Sequence, residues 1–174
     1  RAFLENMDFA DLPQISASIR GSSLDFPSIT GTAHLQLGRT ANRGSWIDSG
    51  VADVVIANQC LTYQNLVINT GKGRGTGAFD YDVGRKEVRL KDIVSTLVPV
   101  DVMMWIDPRI AETIRPYRFR AAPKLKVQGK VHMKDPLKND LAINISAPSG
   151  MDYELLGKTL PFGSTSGTVD VVGN

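Results

Sequence analysis

The chain has a single cysteine, Cys60, in 174 residues. That excludes an internal disulfide framework and a cysteine-based zinc site. Cys60 closes the apolar stretch from Val54, so it reads as a buried, inert thiol. Histidine is nearly as scarce: His34 and His132 are the only two. Neither sits in a motif, so no Ser/His/Asp or Cys/His arrangement is supported. No window approaches the roughly 20 apolar residues of a membrane-spanning helix. No charge of one sign dominates either, since 20 basic residues face 18 acidic ones. A net charge of +2 gives no electrostatic argument for nucleic acid. No signal peptide is visible and the first residue is Arg1. The expectation is a piece of a longer chain, with any anchor or targeting signal outside it.

What is present is alternation. In Ile29–Leu37 every odd position is apolar or Gly and every even one is polar. Leu125–Met133, Leu141–Ile145 and Gly167–Val171 repeat the pattern. Period-two alternation puts one side of a strand on a core and the other in water. Weaker alternation marks Ile15–Arg20, Val51–Ala57, Leu61–Asn69, Thr76–Val83 and Lys86–Ile93. Turn residues separate them: Asn58-Gln59, the glycine-rich run Gly71–Gly75, and Val83-Gly84-Arg85. The reading is a mainly β fold, a repetitive and largely antiparallel curved sheet, groove-like or sandwich-like.

One short helical segment near 101–115 interrupts the strands. Asp101 can cap a turn through Val102, Met103, Met104 and Trp105. Asp107-Pro108 reads as an N-cap with Pro at the first helical position, and Pro116 stops the helix. Ile110, Ala111 and Ile114 have the spacing of an apolar stripe. Met103, Met104, Trp105, Ile110 and Ile114 are therefore candidates for plugging an open end of the sheet or touching a partner. This divides 1–174 into a strand block 1–98, a helical segment 99–116 and a strand block 117–174.

Three segments place Pro before Gly and an apolar-polar-apolar run: Pro27–Leu35, Pro123–Met133 and Pro161–Val171. Pro suits a strand entry and Gly a bend or bulge. His34 and His132 occupy matching places in this scheme, and both fall on the polar face. The repeated Gly-x-apolar-x-apolar strands resemble the AsmA-like superfamily, which includes the TamB-type proteins. So does the order Leu61–Ile68, then Gly73–Asp82, then a short helix with a Phe119…Pro123 strand entry. The resemblance spans roughly Ile15 to Val172.

That resemblance implies an inner-membrane-anchored protein extending through the periplasm of a Gram-negative-type envelope. It implies sheets that curl into an apolar groove for phospholipid transport or outer-membrane biogenesis, neighbouring repeats of the same parent chain as partners, and no catalytic signature. The lipid-facing candidates are Leu35, Leu37, Val127, Val131, Met133, Ile143, Ile145, Val169 and Val171.

Other constellations have bland readings. Gly71–Gly77 lacks the phosphate-loop spacing and precedes a strand rather than a helix. It reads as a flexible hairpin connection, with Lys72 and Arg74 as candidates for touching an anionic group such as a lipid head group. Asp80 and Asp82 share one side of a strand. Paired carboxylates can hydrolyse glycosides, but a solvated face is the commoner reason for such spacing. Lys124, Lys126, Lys130, Lys134 and Lys138 form a basic stripe, read as edge protection or attraction to an anionic surface. No cofactor, metal, nucleic acid or enzymatic activity is expected. The alternative function is a structural or adhesion β module that binds a protein partner through its loops.

Overall fold

The structure is a computed structural model and describes residues 6–23, 26–106 and 108–172. In chain order the elements are β1 (Met7–Phe9), β2 (Gln14–Arg20), β3 (Thr30–Leu37), β4 (Thr40–Asn42), β5 (Ser45–Ile47), β6 (Ser49–Ala57), β7 (Cys60–Thr70), β8 (Gly73–Asp82) and β9 (Glu87–Ser95). Helices α1 (Pro99–Ile106) and α2 (Pro108–Ile114) follow. The chain then forms β10 (Tyr117–Phe119), β11 (Lys124–His132), β12 (Asp140–Ala147), β13 (Met151–Leu155), β14 (Lys158–Phe162) and β15 (Thr165–Val172).

Nine strands form one antiparallel sheet in the order β15-β12-β11-β9-β8-β7-β6-β3-β2. They are the nine that alternation predicts. The other six make two small sheets, β1-β4-β5 and β10-β13-β14. Three to five residues are too few to show a period, which is why the sequence hides them.

The helical region is two helices rather than one. Asp101 lies inside the first turn of α1, which starts at Pro99, so it does not cap that helix. The predicted Asp107 cap falls outside the described residues. The glycine-rich run is not a loop: only Gly71 and Lys72 turn, and β8 begins at Gly73.

The weak alternation of two predicted strands has a structural cause. Val51 pairs with Val67 and Asp53 with Gln64, while Tyr63 pairs with Phe79 and Leu66 with Gly77. β7 thus holds one extra residue against both neighbours. β9 does the same: Thr76 faces Val94 and Ala78 faces Lys91, and Val127 faces Ile93 while Gly129 faces Leu90. The bulges centre on Asn65 (φ 51°) and Asp92 (φ 47°), residue types that tolerate the left-handed region. Each bulge restores the phase that the sequence breaks.

The Pro–Gly repeat does not survive as proposed. Pro27 sits in a 3-10 turn (Phe26–Ser28), Pro123 is buried just before β11, and Pro161 lies within β14 on the edge of a small sheet. His34 and His132 are accordingly not at matching positions. A different repeat is present. The path β1, β2, 3-10 turn, β3, β4, β5, β6 recurs as β10, β11, 3-10 turn (Pro136–Lys138), β12, β13, β14, β15. Phe9 and Pro13 recur as Phe119 and Pro123, and Thr30–Leu37 as Asp140–Ala147, each 110 residues further on. The registers agree as well: Ile15 faces Leu35 as Leu125 faces Ile145. Each unit also turns its small hairpin through two left-handed residues, Arg43-Gly44 in one and Leu156-Gly157 in the other, the geometry that suits a twisted two-residue hairpin.

One pair shows how the copies diverged. Ile19 faces Gly31 in the first unit and Gly129 faces Leu141 in the second. A Cβ on Gly31 would collide with the carbonyl oxygen of Ser18, and one on Gly129 with that of Asp140. Each unit therefore puts one side chain and one glycine at this crossing, in opposite order.

Candidate functional site

The registers sort the large sheet into two chemically distinct faces. One carries Ile15, Leu35, Ala52, Val54, Tyr63, Phe79, Leu90, Val127, Ile143 and Val169, matched strand to strand. The other carries Ser16, His34, Asp53, Asp80, Lys91, Lys126, Asn144 and Thr168. Alternation in each strand produces this segregation once the bulges have corrected β7 and β9.

The apolar face is packed mainly at one end. There Ile47 approaches Gly50 and Leu97 approaches Gly75, and Ile47, Leu97, Ala111 and Ala147 are buried. Near the middle, Tyr63 and Phe79 stack with ring centroids 4.3 Å apart. Burial pushes the Tyr63 hydroxyl above its ordinary pKa. Away from that end and toward the two edges, Ile15, Ile19, Val169 and Val171 are exposed, and Leu61, Val88, Val131 and Leu141 are only half-buried.

The total accessible surface is large for the mass of the chain. The chain exposes 11281 Å². A compact monomer of 18.9 kDa exposes about 8,300 Å² by the usual size scaling. The excess of roughly a third fits a single broad sheet whose apolar face is incompletely covered.

Of the predicted lipid-facing residues, Leu35, Leu37, Val127, Val131, Ile143, Ile145, Val169 and Val171 all lie on this face. Met133 does not lie on a strand: it follows the end of β11, exposed, with its N–H donating to the Lys86 carbonyl.

The helix residues act on the small first sheet. Trp105 Nε1 donates to the Ser45 carbonyl at 2.8 Å, and Arg43 donates to the Met104 carbonyl at 3.1 Å. Ser45 Oγ donates to the Asp101 carbonyl, and Asn42 Nδ2 to that of Trp105. These bonds seat α1 on the β4–β5 hairpin. Met103, Met104 and Ile114 are half-buried, and Ile110 is exposed on α2.

The polar face carries a series of ion pairs and hydrogen bonds. Lys91 Nζ lies 2.6 Å from Asp80 Oδ2, and Arg85 pairs with Asp82. The two aspartates are thus engaged as cross-strand and turn partners. His34 Nδ1 and Asp53 Oδ1 are 2.7 Å apart, and Asn65 Nδ2 donates to Asp53 Oδ2 at 2.8 Å. The Asn65 bond, then His34, holds the Asp53 carboxyl below its ordinary pKa. The β7 bulge aims Asn65 at that carboxylate, a link that sequence spacing does not reveal. His132 meets Glu87 at 3.5 Å. Lys72 is exposed in the turn before β8, and Arg74 is exposed on the polar face of that strand. Lys124, Lys126 and Lys130 line up on β11, while Lys134 and Lys138 lie in the loop beyond it.

Among the described residues no cluster of three His, Cys, Asp or Glu side chains is arranged to hold a metal. No helix among the described residues is long and apolar enough to cross a membrane. A depression of about 390 Å³ lies beside Arg89, Lys91 and Lys130, and one of about 250 Å³ lies between the start of α1 and β10. No family model, curated protein or solved structure matches the chain.

Proposed function

We propose that the chain is a non-enzymatic module of the cell envelope whose apolar sheet face receives the acyl chains of phospholipid. One observation carries this reading: a nine-strand face of mainly aliphatic and aromatic side chains, backed by one that holds the sheet's charged groups, remains partly open to solvent. Exposed apolar side chains gathered on one face, such as Ile15, Ile19, Val169 and Val171, mark a surface that meets something other than water. An acyl chain needs no hydrogen-bond partner, so a predominantly apolar face suits it. The AsmA-like resemblance of the strands supports the same use, and with it a periplasmic, inner-membrane-anchored parent protein and a curled, groove-like sheet.

The test is site-specific photo-crosslinking in the presence of phospholipid vesicles. A photoreactive residue at Val127 or Ile143 should capture acyl chains. The same group at Lys126 or Asn144, on the opposite face, should capture few. Equal capture from both faces, or none, would sink the proposal.

A protein-binding role has its own support in the β13–β14 hairpin, where Leu155, Leu156, Leu160 and Phe162 are exposed. That reading predicts that Leu156→Asp with Leu160→Asp abolishes partner capture and leaves lipid crosslinking at Val127 intact.

A further inference from the structure

The two units of the repeat occupy different places in the large sheet. β11 is the counterpart of β2, and β15 the counterpart of β6, since Leu35 and Gly31 face Ala52 and Ile56 as Ile145 and Leu141 face Gly167 and Val171. Both counterparts inside the sheet are paired on both sides. β11 has β12 on one side and β9 on the other, and β6 has β3 and β7. Among the described residues β2 and β15 have only their hairpin partners, β3 and β12, and end the sheet. Each edge therefore has a known complement elsewhere in the molecule: β9 for the β2 type of strand, β7 for the β6 type.

Among the described residues the edges carry little of the usual protection beyond one charge each, Arg20 and Asp170. Strand ends of a sheet are normally blunted by lysine, proline, bulges or covering elements. β2 reads Gln-Ile-Ser-Ala-Ser-Ile-Arg and β15 Thr-Ser-Gly-Thr-Val-Asp-Val-Val. Neither contains Lys or Pro, and both pair without a register shift. Every residue of β2 is exposed. The sheet places its bulges on interior strands instead. A second copy of this chain has no β7 or β9 edge to offer, because both strands are already flanked on each side.

We propose that the two free edges are acceptor surfaces for further copies of the same repeat unit. The β15 edge takes an antiparallel strand of β7 type and the β2 edge one of β9 type. Main-chain hydrogen bonds supply the attachment, and the alternating apolar residues of the incoming strand extend the apolar face. The assignment rests on strand equivalence and does not depend on what that face binds.

Two additions to the full chain test it. In the first, residues 60–95 follow directly after Asn174, so that two residues separate Val172 from the added strand, as two separate Ala57 from Cys60. In the second, residues 87–110 directly precede Arg1, which sets Gln14 as far from the added Ser95 as Lys124 is from its own. Hydrogen exchange is read strand by strand. The first addition should slow exchange in β15 by at least about tenfold and leave β2 fast, and the second should do the reverse. A control that appends residues 14–37 after Asn174 should leave β15 unprotected.

No slowing from either addition, or equal slowing by the control, overturns the assignment. So does a parent chain in which β15 already exchanges as slowly as β7, because a second copy would then occupy the edge. Should an addition disturb the parent sheet, seen as lost protection of β7 and β8, the unmodified chain is titrated with synthetic residues 60–70 and, separately, 14–20. Slowing of β15 by the first peptide alone supports the proposal, and slowing by both or neither refutes it.

Discussion

The same backbone path is followed twice, yet only one copy builds a core around its small sheet. In the first unit Thr40, Ala41, Asn42, Ser45 and Ile47 are buried, because α1 sits on the β4–β5 hairpin. In the second unit β14 is exposed at all five positions. Its salt bridges, Arg118–Glu154 and Arg120–Asp152, belong to a solvated surface. Local sequence specifies the hairpins in both copies. Burial depends on the helices that follow β9, a tertiary contribution that no property of the hairpin itself encodes.

The largest difference is expected between Ile47 and its counterpart Phe162, which pair with the corresponding residues Thr40 and Met151. Ile47 is 7% exposed and Phe162 42%. Ile47→Ala should cost about 3 kcal/mol, within the range for buried Ile truncation. Phe162→Ala should cost under about 1 kcal/mol, as for an exposed site. Urea unfolding midpoints with unchanged m-values decide it. Similar losses would mean that the two small sheets are equally packed and the contrast is false.

Next in size is the crossing where the copies exchange side chain and glycine. Gly129 has φ 125° and no room for a Cβ, so Gly129→Ala should destabilise by about 2 kcal/mol. Ile19, its counterpart, is 56% exposed, and Ile19→Ala should cost less than about half of that. Thermal denaturation of both variants sharpens the comparison: an Ile19→Ala loss as large as that of Gly129→Ala would show that the first-unit edge is covered in solution.

Trp105→Phe removes the hydrogen bond to Ser45 while keeping most of the ring. A loss of about 1 kcal/mol is expected, together with faster hydrogen exchange in β4 and β5. No change in β13 and β14 should accompany it, and any change there would couple two regions that the structure keeps apart.

The smallest effect concerns acid response. His34 faces Asp53 where Asn144 faces Thr168 in the second unit. The first pair contains a carboxylate, Asp53. The second is a neutral hydrogen bond, Thr168 Oγ1 donating to Asn144 Oδ1 at 2.8 Å. Asp53 has a depressed folded-state pKa, so its contribution to stability is complete above the ordinary carboxyl value of 3.8 and is lost as pH falls through the lower folded value. Asn65→Ala removes the principal cause. The Asp53 carboxyl should then titrate closer to 3.8 by carbon-detected NMR, with a shallower loss of stability in acid. An unmoved titration would show that Asn65 does not hold the carboxylate.

Much of the large sheet is legible in the sequence because a one-faced strand writes its period into adjacent residues. Ile29–Leu37 and Leu125–Met133 declare themselves directly. Leu61–Asn69 and Lys86–Ile93 are blurred because one extra residue in each shifts the pattern by half a period. The short strands Thr40–Asn42 and Tyr117–Phe119 are invisible, since their identity lies in partners found across loops. The apolar face was readable as a set of residues, Val127 and Ile143 among them. Its partial exposure was not, because alternation shows which side avoids water and not what lies against it.

The bulges at Asn65 and Asp92 have an evolutionary consequence. Each extra residue is accommodated by the strands on both sides. Deleting one would put its strand out of step with two neighbours at once, turning half of its apolar side chains toward the charged surface. No single compensating deletion in a neighbour restores both pairings. Strand lengths across the centre of the sheet are therefore locked against one-step indels, whereas β2 and β15, each answerable to one neighbour, remain free to drift.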